Sequence, residues 1–184
     1  MKLYSIAIAL MSVVGVGIRM PASGEPESPQ NAAACEGTSL ESSGDPAEPA
    51  GTAAILDHLV GAWEGEGALF GRPASFAMSW GMELDGRFLG LSYEIRGGVS
   101  MSAQAHYRIA DGRTLQGVWV DSRGEILALE ATATESNLST VWRSDTEKGR
   151  TVYHRTGDNS LEVCDYVQDG DGWRLFGTAQ YAHR

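Results

Sequence analysis

The chain has 184 residues, enough for one ordinary domain but not two. Its 24 Asp and Glu against 14 Lys and Arg leave a net charge of -10, which argues against a basic nucleic-acid footprint. The two cysteines, Cys35 and Cys164, match no zinc spacing, form no Cys-x-x-Cys and are too few to staple a mini-fold.

The chain opens as a targeting segment. Lys2 supplies the positive charge, Leu3 to Ile18 is almost wholly apolar or small, and Ala22, Ser23 and Gly24 offer a cleavage zone. Residues 1–24 are therefore expected to be a signal peptide, leaving a secreted or periplasmic protein with no membrane span after cleavage. An uncleaved anchor helix is the competing reading. Ala32-Ala33-Ala34-Cys35 resembles a lipoprotein box but lies far beyond the apolar run. Residues 25–53 carry six acids, no base and almost nothing to bury, so they read as a disordered tether. Export permits a Cys35–Cys164 disulfide, although Cys35 falls within that tether.

Residues 54–184 form the folded domain. A short helix is expected from Ala53 to Val60, with Thr52 as N-cap and Gly61 as stop. The pattern then changes to period two. Asp85-Gly86, Gly97-Gly98, Asp111-Gly112, Asp158-Asn159 and Asp169-Gly170 supply the positive φ that tight hairpins need. Ten strands follow: 62–70, 74–84, 87–96, 99–110, 113–121, 125–134, 137–145, 150–157, 160–168 and 172–183. A meander of this length favours closure, because closure removes unpaired edges. The expected fold is all-β, a single closed antiparallel up-and-down barrel with a short N-terminal helix.

Turn lengths fix a register, and cross-strand partners share a face. Two-residue turns pair Met82 with Leu89, Trp80 with Leu91 and Met78 with Tyr93. They then pair Leu91 with Gln104, Leu89 with His106 and Gln104 with Trp119. Further along they pair Arg155 with Glu162, His154 with Val163 and Val152 with Asp165. Met78, Trp80, Tyr93, Gln104, His106, Trp119 and His154 are then expected to line the interior. Asp121 shares that side, while Cys164 faces outward as an inert thiol beside Tyr153 and Phe176.

Gly61-Ala62-Trp63 after a short helix resembles the Gly-x-Trp opening of calycin barrels, including lipocalins and fatty-acid-binding proteins. Leu59 to Gly67 resembles the start of nitrobindin-type haem-binding barrels. Leu84-Asp85-Gly86-Arg87-Phe88-Leu89 and Gly117-Val118-Trp119-Val120-Asp121-Ser122, with Gly124 beyond, resemble a family of uncharacterised bacterial calycin-like domains. The resemblance covers residues 55–184. It implies that Trp63 plugs the closed end with an arginine such as Arg184 over its ring, and that Asp121, Ser122 and Gly124 fix a turn. Nitrobindin-type proteins place an iron-binding histidine before the last strand. Trp173-Arg174-Leu175-Phe176-Gly177 has none, so a haem would need His106 or His154 at a displaced site.

No cofactor and no metal site is expected. The leading reading is a non-catalytic barrel, monomeric or homodimeric, that holds a small hydrophobic or amphipathic molecule, with Gln104 and the histidines orienting it. One alternative is an isomerase, cyclase or hydrolase using His106 or His154 as acid or base, with Asp165 or Asp121 as orienting carboxylate. Another is an interaction module with a filled core.

Overall fold

A computed structural model describes Cys35, residues 52–97 and residues 100–184. The expected signal peptide, the tether apart from Cys35 and Thr52-Ala53, and Gly98 lie outside the described residues.

Helix α1, Ala54–Leu59, leads into ten strands: β1 Gly61–Leu69, β2 Arg72–Glu83, β3 Phe88–Gly97, β4 Met101–Ile109, β5 Thr114–Asp121, β6 Ile126–Ala133, β7 Asn137–Arg143, β8 Lys148–Gly157, β9 Ser160–Asp169 and β10 Gly172–His183. Each strand pairs antiparallel with the next, and β1 pairs with β10 to close the barrel. A closed ten-strand antiparallel barrel fits a calycin-like fold.

The alternation in the sequence becomes the wall of the barrel. Along β2, Ala74, Phe76, Met78 and Trp80 turn inward and are buried, while Ser75, Ala77 and Ser79 face out. Each large apolar side chain buried this way contributes roughly 1.5–3 kcal/mol. At the β2–β3 turn Leu84, Asp85 and Gly86 all take positive φ, and the expected pairs Met78–Tyr93, Trp80–Leu91 and Met82–Leu89 form.

Helix α1 closes one end. Ile55, Leu56 and Leu59 are fully buried, and the Ala53 N–H donates to the Gly112 carbonyl of the β4–β5 turn at 3.0 Å. A six-residue helix cannot sustain itself in water, so packing holds it. Thr52 is not its cap. The N-cap position falls on Ala53, with extended backbone and no side-chain bond, because its entry is fixed by that tie to Gly112. Gly61 is not its stop either. Val60 ends the helix, and Gly61 opens β1 at φ 131°, where a Cβ would fall on the His183 imidazole.

Trp63 does plug this end. Its Nε1–H donates to the Leu59 carbonyl at 2.8 Å, tying the strand to the helix. His183, not Arg184, meets its ring, edge-on at 4.8 Å between centroids. Arg184 instead pairs with Glu64 at 3.2 Å.

Three register expectations fail by one residue. Pairing between β3 and β4 ends at Ile95–Met101, not at a two-residue turn. Leu91 therefore pairs with Ala105 and Leu89 with Tyr107, and a one-residue slip reverses every side chain of a strand. Gln104 and His106 face outward, and Ala103, Ala105 and Tyr107 face inward. The β4–β5 turn is also longer, because Asp111 Oδ1 accepts the backbone N–H groups of Arg113 and Thr114 at 2.9 and 2.6 Å. That second slip restores Trp119, opposite Ala105, to the interior. At β8–β9 a bulge between Arg155 and Gly157 puts His154 opposite Glu162 and Tyr153 opposite Val163. His154 is thereby outside and Tyr153 inside.

Cys164 is not a free thiol. It faces outward opposite Val152 and Thr178 and is bonded to Cys35. Both are buried in a small outer cluster with Val152 and Tyr166, and the Tyr166 hydroxyl donates to the Cys35 carbonyl at 2.8 Å. The expected free tether is anchored at this point.

Candidate functional site

Burial is graded along the barrel axis. Towards α1, Trp63, Tyr107, Leu89, Leu115, Leu138 and Leu161 are all but inaccessible. In the other half, Leu69, Tyr93, Trp119, Leu127 and Trp142 pack on the core yet remain only partly buried. These five come from different strands and face the barrel interior. Some of the lining there, including Ile95 and Met101, is well covered, so the accessible surface is concentrated on the aromatic and β6 side.

Aromatic rings run through this interior. Tyr93 lies 5.6 Å from Trp119 and 6.4 Å from Phe76, and Phe76 lies 6.0 Å from Tyr181. Deeper in, Trp80 meets Tyr153 edge-on at 5.2 Å and stacks on Tyr107 at 6.1 Å. The buried Nε1–H of Trp80 has no hydrogen-bond partner among the described residues. Such a group carries a desolvation penalty of roughly 1–3 kcal/mol.

One carboxylate sits among these rings. Asp165 on β9 lies between Thr151 of β8 and Gly177 of β10. Its Oδ1 accepts the Thr151 hydroxyl at 2.6 Å. A β-bulge between Leu175 and Gly177 adjusts the strand beside it, and a Cβ at Gly177 would lie 3.0 Å from Oδ2. Burial pushes the Asp165 carboxyl up to about 6, with the Thr151 bond opposing. Asp165 nevertheless keeps some accessible surface. Burial also holds the phenols of Tyr93, Tyr153 and Tyr181 above their usual range, and the Asp165 charge adds to each shift.

At the rim, Trp119 Nε1–H donates to Asp121 Oδ2 at 3.2 Å. Burial works against the Asp121 charge, but the bonds from Arg123 outweigh it and lower its pKa. Arg123 Nη2 lies 2.6 Å from Oδ2. The expected turn forms here: Asp121 Oδ1 accepts the Arg123 N–H at 2.8 Å, Ser122 Oγ accepts the Ser102 N–H at 3.2 Å, and Gly124 takes φ 86°.

Of the seven residues expected to line the interior, Met78, Trp80, Tyr93 and Trp119 do so. Gln104, His106 and His154 do not. His106 Nδ1 lies 2.8 Å from Glu83 on the outer wall, and His154 Nδ1 lies 2.6 Å from Asn137. Neither histidine is placed to ligate a haem in the lumen or to act as acid or base on a molecule held there. His58 and His183 flank Trp63 at the plugged end, so the lumen offers no histidine among the described residues. The expected carboxylate Asp165 is inside, but without a histidine beside it. Thr151, Tyr153 and Tyr181 were not anticipated. Tyr153 carries the right chemistry, but the Arg155–Gly157 bulge hid the phase of β8.

A shallow groove of about 640 Å3 also lies on the outer face of β1–β5, lined in part by Ala77, Ser79, Ser92, Gln104, Ser122 and Arg184. Gln104 belongs to this groove and not to the lumen.

No protein-family model and no curated protein matches the chain. Among solved structures it is similar to an S-type phycobiliprotein lyase from Guillardia theta. The two share 8% identity at a TM-score of 0.48, over 71% of this chain and 90% of that one. That likeness concerns chain path and carries no functional argument.

Proposed function

We propose that this protein is a small-molecule-binding barrel, holding a hydrophobic or amphipathic ligand in the half of its lumen away from α1. The observation that carries this reading is the accessible surface of Asp165 deep among aromatic side chains. An apolar lining with a few placed polar groups is the usual composition of a ligand site. The residue patterns at Leu84–Leu89 and Gly117–Ser122 support placing the chain among bacterial calycin-like domains related to nitrobindin-type barrels. The Cys35–Cys164 bond supports an oxidising, extracytoplasmic location, as the N-terminal pattern does.

The test is a titration with the uncharged dye N-phenyl-1-naphthylamine, followed by fluorescence. Ala103→Phe would fill the lumen, because Ala103 is buried opposite Tyr93. Gln104→Ala alters only the outer groove. Loss of dye binding in the first variant and retention in the second is the expected result. The opposite pattern moves the ligand to the outer groove and defeats the lumen reading.

A further inference from the structure

We propose that the lumen takes an organic cation, a lipophilic ammonium whose charged head meets Asp165 and whose apolar body lies against Tyr93, Trp119 and Trp142. This rests on the reading of the barrel as a small-molecule binder and names the chemistry of its ligand.

Three features lead there. First, Asp165 carries no ion pair among the described residues. Thr151 serves Oδ1, and Oδ2 has no hydrogen-bond partner among the described residues. At the open end Arg123 pairs with Asp121 and Arg174 with Asp169, while Arg150 lies over the outward Tyr166 ring and Lys148 over Trp173. A carboxylate placed in apolar surroundings without a partner is costly, and a charge that persists there needs a counter-charge. Second, the fold makes room for this group. A Cβ at Gly177, just past the β10 bulge, would stand 3.0 Å from Oδ2 and 3.1 Å from Leu69, so the bare Cα is what lets the carboxylate sit here. Third, the surround is aromatic. Phe76, Tyr93, Tyr181 and Trp119 form a connected set of rings. Ring faces attract cations and repel anions. A neutral ligand would gain from the rings but leave the carboxylate unanswered, and an anion would be opposed by both.

The ionisable groups facing Asp165 are the phenols of Tyr93 on β3, Tyr153 on β8 and Tyr181 on β10; the phenol of Tyr166, next to it on β9, lies on the outer face. All four are held above their ordinary range, mainly by burial. Of these groups only Asp165, pushed up to about 6, changes charge in mildly acidic solution, so the affinity for an ammonium should follow it.

The experiment is calorimetric titration of the full chain with 4-phenylbutylamine and its near-isostere 4-phenylbutanol. At about pH 8 the amine is expected to bind at least about tenfold more tightly than the alcohol. That advantage should shrink towards about pH 5, where Asp165 is protonated, while alcohol binding stays level. Asp165→Asn should bind both alike. Gly177→Ala, which crowds the carboxylate without removing it, should weaken the amine selectively. An amine advantage that survives Asp165→Asn, or one lost in Glu94→Gln on the outer groove, would overturn the proposal. Binding of the alcohol as tightly as the amine defeats the ammonium assignment but leaves the barrel reading standing. Binding of neither defeats both.

Discussion

The Thr151 hydroxyl reaches across from β8 to Asp165 Oδ1 at 2.6 Å, holding a carboxylate inside an otherwise apolar and aromatic lumen. One neutral donor does not compensate for the loss of water around that charge, which is why the Asp165 pKa rises to about 6. The stability consequence has a definite sign. An unfolded aspartate titrates near 3.9, so between about pH 4 and pH 6 the folded protein binds more protons than the unfolded chain. Stability then falls as pH rises through that window, and the full penalty is present above it. Asp165→Asn should stabilise the protein by on the order of 2 kcal/mol at neutral pH and by little near pH 4. Urea denaturation at both pH values measures this, and a difference independent of pH would refute it.

Trp63 and Trp80 separate a satisfied indole from an unsatisfied one. Trp63 donates to the Leu59 carbonyl, and Trp80 has no partner among the described residues. Replacement by Phe removes similar volume from two buried sites, so the difference isolates the hydrogen bond. Trp63→Phe should cost about 1–2 kcal/mol more than Trp80→Phe. Chemical denaturation of the two variants reads the difference, and equal losses would contradict it.

The Cys35–Cys164 bond spans a separation of 129 residues. Chain-entropy arguments put the stabilisation from closing such a loop at up to about 5 kcal/mol, with about 2–4 typical. Thermal melts should drop on adding reductant, and Cys164→Ala should melt at the reduced temperature with no further response to reductant. A melting temperature unchanged by reduction would mean that the cross-link constrains nothing the barrel needs.

Ligand binding should distinguish the two faces of the wall. Trp119→Ala, inside the lumen, is expected to weaken N-phenyl-1-naphthylamine binding by at least about tenfold. His106→Ala, beside Glu83 on the outer wall, should leave it unchanged. Equal effects of the two substitutions would mean that the dye is not in the lumen.

The barrel was legible because its signals are local. Asp85-Gly86 dictates a tight turn, and the β2–β3 register followed residue for residue. The lumen was less legible because its phase depends on turns and bulges that propagate. The β3–β4 connection and the Asp111 side-chain bonds each add a residue, so Gln104 and His106 moved outward while Trp119 returned inward. The Arg155–Gly157 bulge exchanged His154 for Tyr153. The bulge between Leu175 and Gly177 is invisible in strand periodicity, so the close fit of Gly177 against Asp165 could not be read from composition.

The disulfide also determines where mechanical tension enters the molecule. Tension arriving along the chain from before Cys35 is transferred to Cys164, in the interior of β9 and flanked by Val152 and Thr178. It bypasses β1, whose ladders with β10 and β2 close the barrel. A pull from that side therefore works against two neighbouring strands at once, instead of unzipping the seam from its end.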